Sequence, residues 1–219
     1  MENKKYELIT NDTIKINNMT LYRIKALKDF NNVKKGDLGG YIEKEDNLSH
    51  IGNCWVYDGA KVYGNAKVFG NAMVCGDAMV CGNARVCDDA EVCGNAIVCG
   101  NAMVYGNASV YGNAKVFGKS MVYDNANVYG NTIVCGNAMV CGNANISNTN
   151  DYIILQGFGS KNRTTTFFKC KDNLIRVICG CFEGTIDEFV SKVKETHGNN
   201  KYAREYLAII DLAKIHFDL

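Results

Sequence analysis

The chain has 219 residues, 47% of them apolar, with 24 Lys plus Arg against 23 Asp plus Glu and a formal net charge of +1. That balance argues against a disordered polyelectrolyte and gives no global reason to expect nucleic acid, an anionic membrane or an acidic substrate. The opening residues MENKKYELIT lack the apolar run of a secretory signal, and no apolar stretch approaches the roughly 20 residues needed to cross a bilayer. A cytoplasmic protein without membrane contact is therefore expected, with its 11 cysteines kept as free thiols.

Residues 1–47 are mixed and charged and read as an N-terminal capping module, with a β-hairpin near Thr13 to Ile16 and Leu21 to Leu27. Gly36-Asp37-Leu38-Gly39-Gly40 is glycine-rich, but no Lys-Ser/Thr follows as in a phosphate loop, so it reads as a turn. Residues 48–149 change texture altogether: AKVYGN, AKVFGN, AMVCGD, AMVCGN and onward repeat with period six. An aliphatic slot recurs from Val56 to Ile146, and of its 16 positions 15 are valine. Two residues earlier stands a small side chain, alanine at 13 positions and Cys54, Ser120 and Thr132 at the others.

Alternation of small, variable and aliphatic residues makes a short strand whose small and aliphatic side chains share one face. The Gly-Asn or Gly-Asp pair after it tolerates positive φ and turns the chain at every sixth residue. Three such strands, one from each of three successive hexads, close a triangular coil. Residues 48–147 then make about five and a half coils, a rod about 26 Å long at a strand spacing of about 4.8 Å.

The spacing resembles the hexapeptide-repeat proteins. The segment RIKALKDFNNVKKGDLGGYIEKEDNLSHIGNCWVYDGA, from Arg23 to Ala60, resembles the N-terminal module of YdcK-like members of that family. The resemblance implies a left-handed parallel β-helix, mainly β, and an acyl-CoA-dependent acyltransferase as an alternative function. This chain departs from the commonest hexad, since glycine falls two residues after the aliphatic position instead of one.

Residues 150–219 read as a small α+β module. Asp151 to Gln156, Thr164 to Lys169 and Leu174 to Cys179 are strand-like, and Thr185 to Glu188 forms a capping box that opens a helix to about Glu195. A second helix is predicted from Lys201 to Ile215, with Tyr202, Tyr206, Ile209, Ile210 and Ala213 on one stripe. The runs GFGSKNRTTTFFKCKDN and CGCFEGTIDEF resemble a tail module of uncharacterised phage and Firmicutes proteins.

Several residues carry candidate chemistry. The slot after each valine holds Tyr57, Tyr63, Phe69, Tyr105, Tyr111, Phe117, Tyr123 and Tyr129, interleaved with seven cysteines. By strand parity these side chains point outward and stack three hexads apart, an apolar surface that asks for a partner. Cys-x2-Cys spacing is absent from this slot, so packing is a better reading of the cysteines than metal. His50, at the start of the first coil, is the candidate base for acyl transfer, but coils without an insertion offer no evident pocket; the alternative is a solvent-facing position or a hydrogen bond to the cap. Lys161, Arg163, Phe167, Phe168 and Lys169 form a basic-aromatic hairpin able to touch phosphate; the alternative is a solvated hairpin. Cys179-Gly180-Cys181 ends a strand and reads as packing in preference to a redox pair.

The combined expectation is a non-catalytic binding or assembly protein, a dimer or trimer that also takes a protein partner. One form of it is a phage or mobile-element factor that binds and inhibits a host protein. No cofactor or metal is expected, with CoA entering only under the acyltransferase alternative.

Overall fold

Alternation of small and aliphatic residues at period six has one architectural outcome here. The computed structural model describes residues 4–219, so the first three positions of the N-terminal module lie outside it. Each hexad yields a two-residue strand, from β4 (Trp55–Val56) through β19 (Asn145–Ile146), placed every six residues. Each strand pairs in parallel with the one three hexads on, as Val74 does with Val92 and Val92 with Val110. The strands sort by threes into three faces of a parallel β-solenoid. The alanine and valine slots point inward and form one continuous core along the rod. Ser120 and Thr132 occupy the small slot fully buried, each donating its hydroxyl to a backbone carbonyl, of Phe117 at 2.8 Å and of Tyr129 at 2.7 Å.

At the corners, positive φ falls on the first residue of each turn, usually glycine. A Cβ on Gly100 (φ +71) would lie 3.1 Å from the backbone N and O of Gly118 on the next coil, so bare backbone is what lets the coils stack. Asp88 and Asp124 take this conformation without being glycine. Their carboxylates each accept a hydrogen bond from a backbone N–H on the next coil, Gly106 and Gly142, both at 3.1 Å.

The N-terminal hairpin is longer than the sequence pattern suggests, β1 (Tyr6–Ile16) with β2 (Met19–Ala26). The strand β3 (Leu38–Ile42) pairs antiparallel with β2 and parallel with β5 (Lys61–Val62), so hairpin and solenoid face form one eight-stranded sheet. Leu48 bridges to Val68 on another face. The first coil therefore begins near Leu38 instead of Leu48, which gives about six coils. Glycine explains the omission: Gly39 and Gly40 lie against Val56 and Ala60, where any Cβ would meet a carbonyl oxygen, so this first rung cannot carry the Ala-x-Val signature.

At the other end, β20 (Tyr152–Phe158), β21 (Arg163–Lys169), β22 (Ile175–Cys179) and β23 (Phe182–Thr185) form an antiparallel sheet in chain order. Its two faces are divided by strand alternation. Tyr152, Phe168, Cys170 and Ile178 join the solenoid core, whereas Phe167, Ile175, Val177 and Cys179 pack on α1 (Ile186–His197) and α2 (Lys201–His216). The sheet thus seals the last coil. Thr185 and Glu188 cap α1 as the sequence predicts, and Asn200 caps α2. Of the predicted α2 stripe, Tyr206, Ile209, Ile210 and Ala213 are buried, and Tyr202 is exposed.

Candidate functional site

Because every slot recurs on the same face three hexads on, the residues that follow the valines form three columns along the rod. One runs Tyr57, Cys75, Cys93, Tyr111 and Tyr129; a second runs Tyr63, Cys81, Cys99, Phe117 and Cys135; the third runs Phe69, Cys87, Tyr105, Tyr123 and Cys141. Tyr105 and Tyr123 stack with ring centroids 5.0 Å apart and planes within 3°, and Tyr111 and Tyr129 stack at 5.0 Å and 5°. Phe69, Tyr111 and Phe117 are exposed, and the other aromatic rings are half-buried along the corners. Burial pushes Tyr63 up to about 12, helped by the neighbouring Cys81 thiol. Cys87 and Cys141 depart from the outward pattern and are buried. Cys141 lies near Glu183 of β23, and burial pushes its thiol up to about 12.

His50 is built into the N-terminal module. Its ring stacks on Tyr6 at 4.3 Å, its Nδ1 accepts the backbone N–H of Lys5 at 3.2 Å, and its Nε2 lies 3.7 Å from a Glu45 carboxylate oxygen. These contacts tie the ring to the N-terminal module. Beside it, Lys5 is buried and donates to the carbonyls of Gly52 at 3.2 Å and Cys54 at 2.8 Å and to the Cys54 thiol at 3.2 Å. Desolvation holds its ammonium below the usual lysine range.

The basic-aromatic hairpin separates into two parts. Phe167 and Phe168 are 0% and 1% exposed, one against the helices and the other in the solenoid core, so neither ring can meet a ligand. The physical reason is that both faces of this sheet are covered, which removes the usual polar face of an antiparallel strand. Lys161 is exposed in the β20–β21 loop, and Lys169 contributes to the field that holds the Asp151 carboxylate ionised. Arg163 is exposed and lies across Gly180, where a Cβ would collide with its guanidinium.

With this geometry in place, residues 98–112 match the family described as the YdcK Beta solenoid repeat. That match spans a little over two hexads of the rod. A stretch of 41 residues is also 49% identical to the uncharacterized acetyltransferase YdcK of Escherichia coli (strain K12). The likeness covers 19% of this chain and 13% of that protein's length.

Coil stacking places together residues that reading hexad by hexad leaves apart. Cys75 and Cys93 are joined by a disulfide, which corrects the expectation that all the thiols are free. Asparagines at the corners form hydrogen-bonded ladders up the rod, Asn65 to Asn83 to Asn101 at 3.2 and 3.0 Å and Asn95 to Asn113 to Asn131 at 3.1 and 3.0 Å. The signal for both was present in the sequence as identical residues three hexads apart. Among the described residues, no cluster of three His, Cys, Asp or Glu side chains is placed to hold a metal ion. No described helix is long and apolar enough to cross a membrane.

Proposed function

We propose that this chain is a non-catalytic binding and assembly protein, whose rigid rod associates through its outward aromatic columns with a second copy or with another protein. The observation that carries this reading is the pair of tyrosine stacks at 5.0 Å on the outside of the coils, with Tyr111 of one stack exposed and Phe69 and Phe117 exposed elsewhere on the columns. Aromatic surface held rigid in this way loses little conformational entropy on docking, and aromatic residues are enriched in interface cores. The hydrogen bonding of His50 is consistent with the same reading, since it ties the ring to the cap.

A second reading, acyl transfer from acetyl-CoA, is favoured by the name of the partly similar acetyltransferase YdcK. Native mass spectrometry of the full chain under reducing conditions, with and without acetyl-CoA, separates the two. A dimer, trimer or protein complex indifferent to acetyl-CoA supports assembly. Retention of one CoA per subunit makes acyl transfer the better account.

A further inference from the structure

Two grooves meet where the C-terminal module rests on the solenoid. One, of about 550 Å³, runs between the outward Met121 and Met139 on adjacent coils and the edge formed by Arg163, Gly180 and Cys181, with Lys119 at its side. The other, of about 210 Å³, lies between that edge and α1 and is lined by Phe182, Phe189 and Val193, with Lys192 and His197 at its rim. Arg163 borders both.

The charged residues that line these grooves are basic. Among the described residues neither groove is lined by an aspartate or a glutamate, and no carboxylate lies within ion-pairing distance of Arg163. Lys192 already has a partner in Glu195 at 2.9 Å, so Arg163 and Lys119 are the cations that a ligand would find uncompensated. The backbone makes room for the guanidinium. Gly180 sits at φ +64 in the two-residue turn between β22 and β23, and its missing side chain is what allows Arg163 to lie over the turn. A planar fork of donors held beside an apolar trough suits a molecule with an oxyanion at one end and an apolar body at the other.

We infer that Arg163 anchors a binding site for a small amphipathic anion, a carboxylate or a phosphate monoester. Its oxyanion is held by Arg163 and Lys119, and its apolar body lies along Met121 and Met139. The site is independent of the aromatic columns, and it replaces the basic-aromatic hairpin of the sequence reading with residues from two separate parts of the fold.

Calorimetric titration of the full chain with octyl phosphate, octanoate and neutral 1-octanol tests this inference. Saturable binding of at least one of the two anions, with octanol much weaker, is expected. Arg163→Gln should weaken it by roughly tenfold or more, since a hydrogen bond to a charged group is lost. Arg163→Lys should fall between, and Lys161→Gln, in the neighbouring loop, should bind like the parent. Circular dichroism checks that each variant keeps the β-rich fold. Octanol binding as tightly as the anions, an undiminished affinity in Arg163→Gln, or no saturable binding of either anion would overturn the proposal. Inorganic phosphate and acetate as competitors then distinguish the two oxyanions.

Discussion

Cys75 and Cys93 stand one coil apart in the same outward column, with Cα atoms 4.6 Å apart and a disulfide between them. The bond joins residues separated by 18 positions, and closing a loop of that size adds about 3 kcal/mol to stability by chain entropy. The valine core and the coil-to-coil hydrogen bonds are complete without it. Cys93→Ser, or reductant added to the parent, is therefore expected to lower the urea midpoint while preserving the β-rich circular dichroism. Loss of that signal in reductant would mean that the coils depend on the bond.

The narrow interior makes a second prediction. Ala96 is fully buried between Val92 and Val98 in the continuous core, where close packing leaves no space for three further carbon atoms. Ala96→Leu should cost about 1–3 kcal/mol by overpacking, measured as a shift in the denaturant midpoint. A neutral result would mean that the interior holds a void.

The solenoid was legible because its signal is repeated: one valine every six residues leaves little freedom in strand face or coil length. What escaped are features that depend on two places at once. Leu38–Ile42 forms a rung without the Ala-x-Val pattern, since Gly40, level with Ala60, has no room for a Cβ beside the Ala60 carbonyl and the Val56 side chain. Phe182–Thr185 is a strand only because it pairs with Arg176 to Cys179. Phe167 and Phe168 looked available beside lysines, and their burial is decided by a core on each side of the sheet. The Arg163 grooves join a hairpin of the C-terminal module to the last coils of the rod, a juxtaposition that composition does not encode.

Thiol chemistry reports whether the C-terminal sheet is seated. Cys181 is exposed, whereas burial raises Cys87 to about 11 and Cys141 to about 12. At pH 8 the raised thiols are ionised to roughly one part in a thousand or less. Brief iodoacetamide treatment followed by peptide mass mapping should mark Cys181 first and spare Cys87 and Cys141. Cys141 reacting as fast as Cys181 would show that the sheet lifts from the last coil.

The junction between rod and sheet responds to acid. Burial pushes the Asp151 carboxyl up, but hydrogen bonds from the Ser147 hydroxyl and backbone N–H, both at 2.7 Å, and from the Asn148 N–H at 3.1 Å outweigh it and hold the group below its ordinary 3.8. A carboxyl with a depressed folded pKa stabilises fully above the unfolded value and loses that contribution as pH falls through the folded one. Asp151→Asn should cost about 1–2 kcal/mol at pH 7, and the difference from the parent should shrink as pH falls below the carboxyl's ordinary 3.8. Thermal unfolding from pH 7 to pH 2 measures both, and parallel curves over the whole range would remove Asp151 from the account.

The aromatic columns decide the assembly reading. Tyr111 and Tyr129 stack outside a wall whose inner residues, Val110 and Val128, are wholly buried, so removing the rings leaves the core intact. Tyr111→Ser with Tyr129→Ser removes a stacked pair worth about 0.5–1.5 kcal/mol to the folded rod, and with it the apolar ring surface that an interface on this column would bury. If the rod associates through this column, light scattering after size exclusion should show the double variant shifted towards monomer at a concentration where the parent is assembled, with unchanged circular dichroism. An unaltered assembly would move the interface to another face. Unfolding of the variant would place these rings in the core, and the outward direction of the column, with the assembly reading that rests on it, would fall.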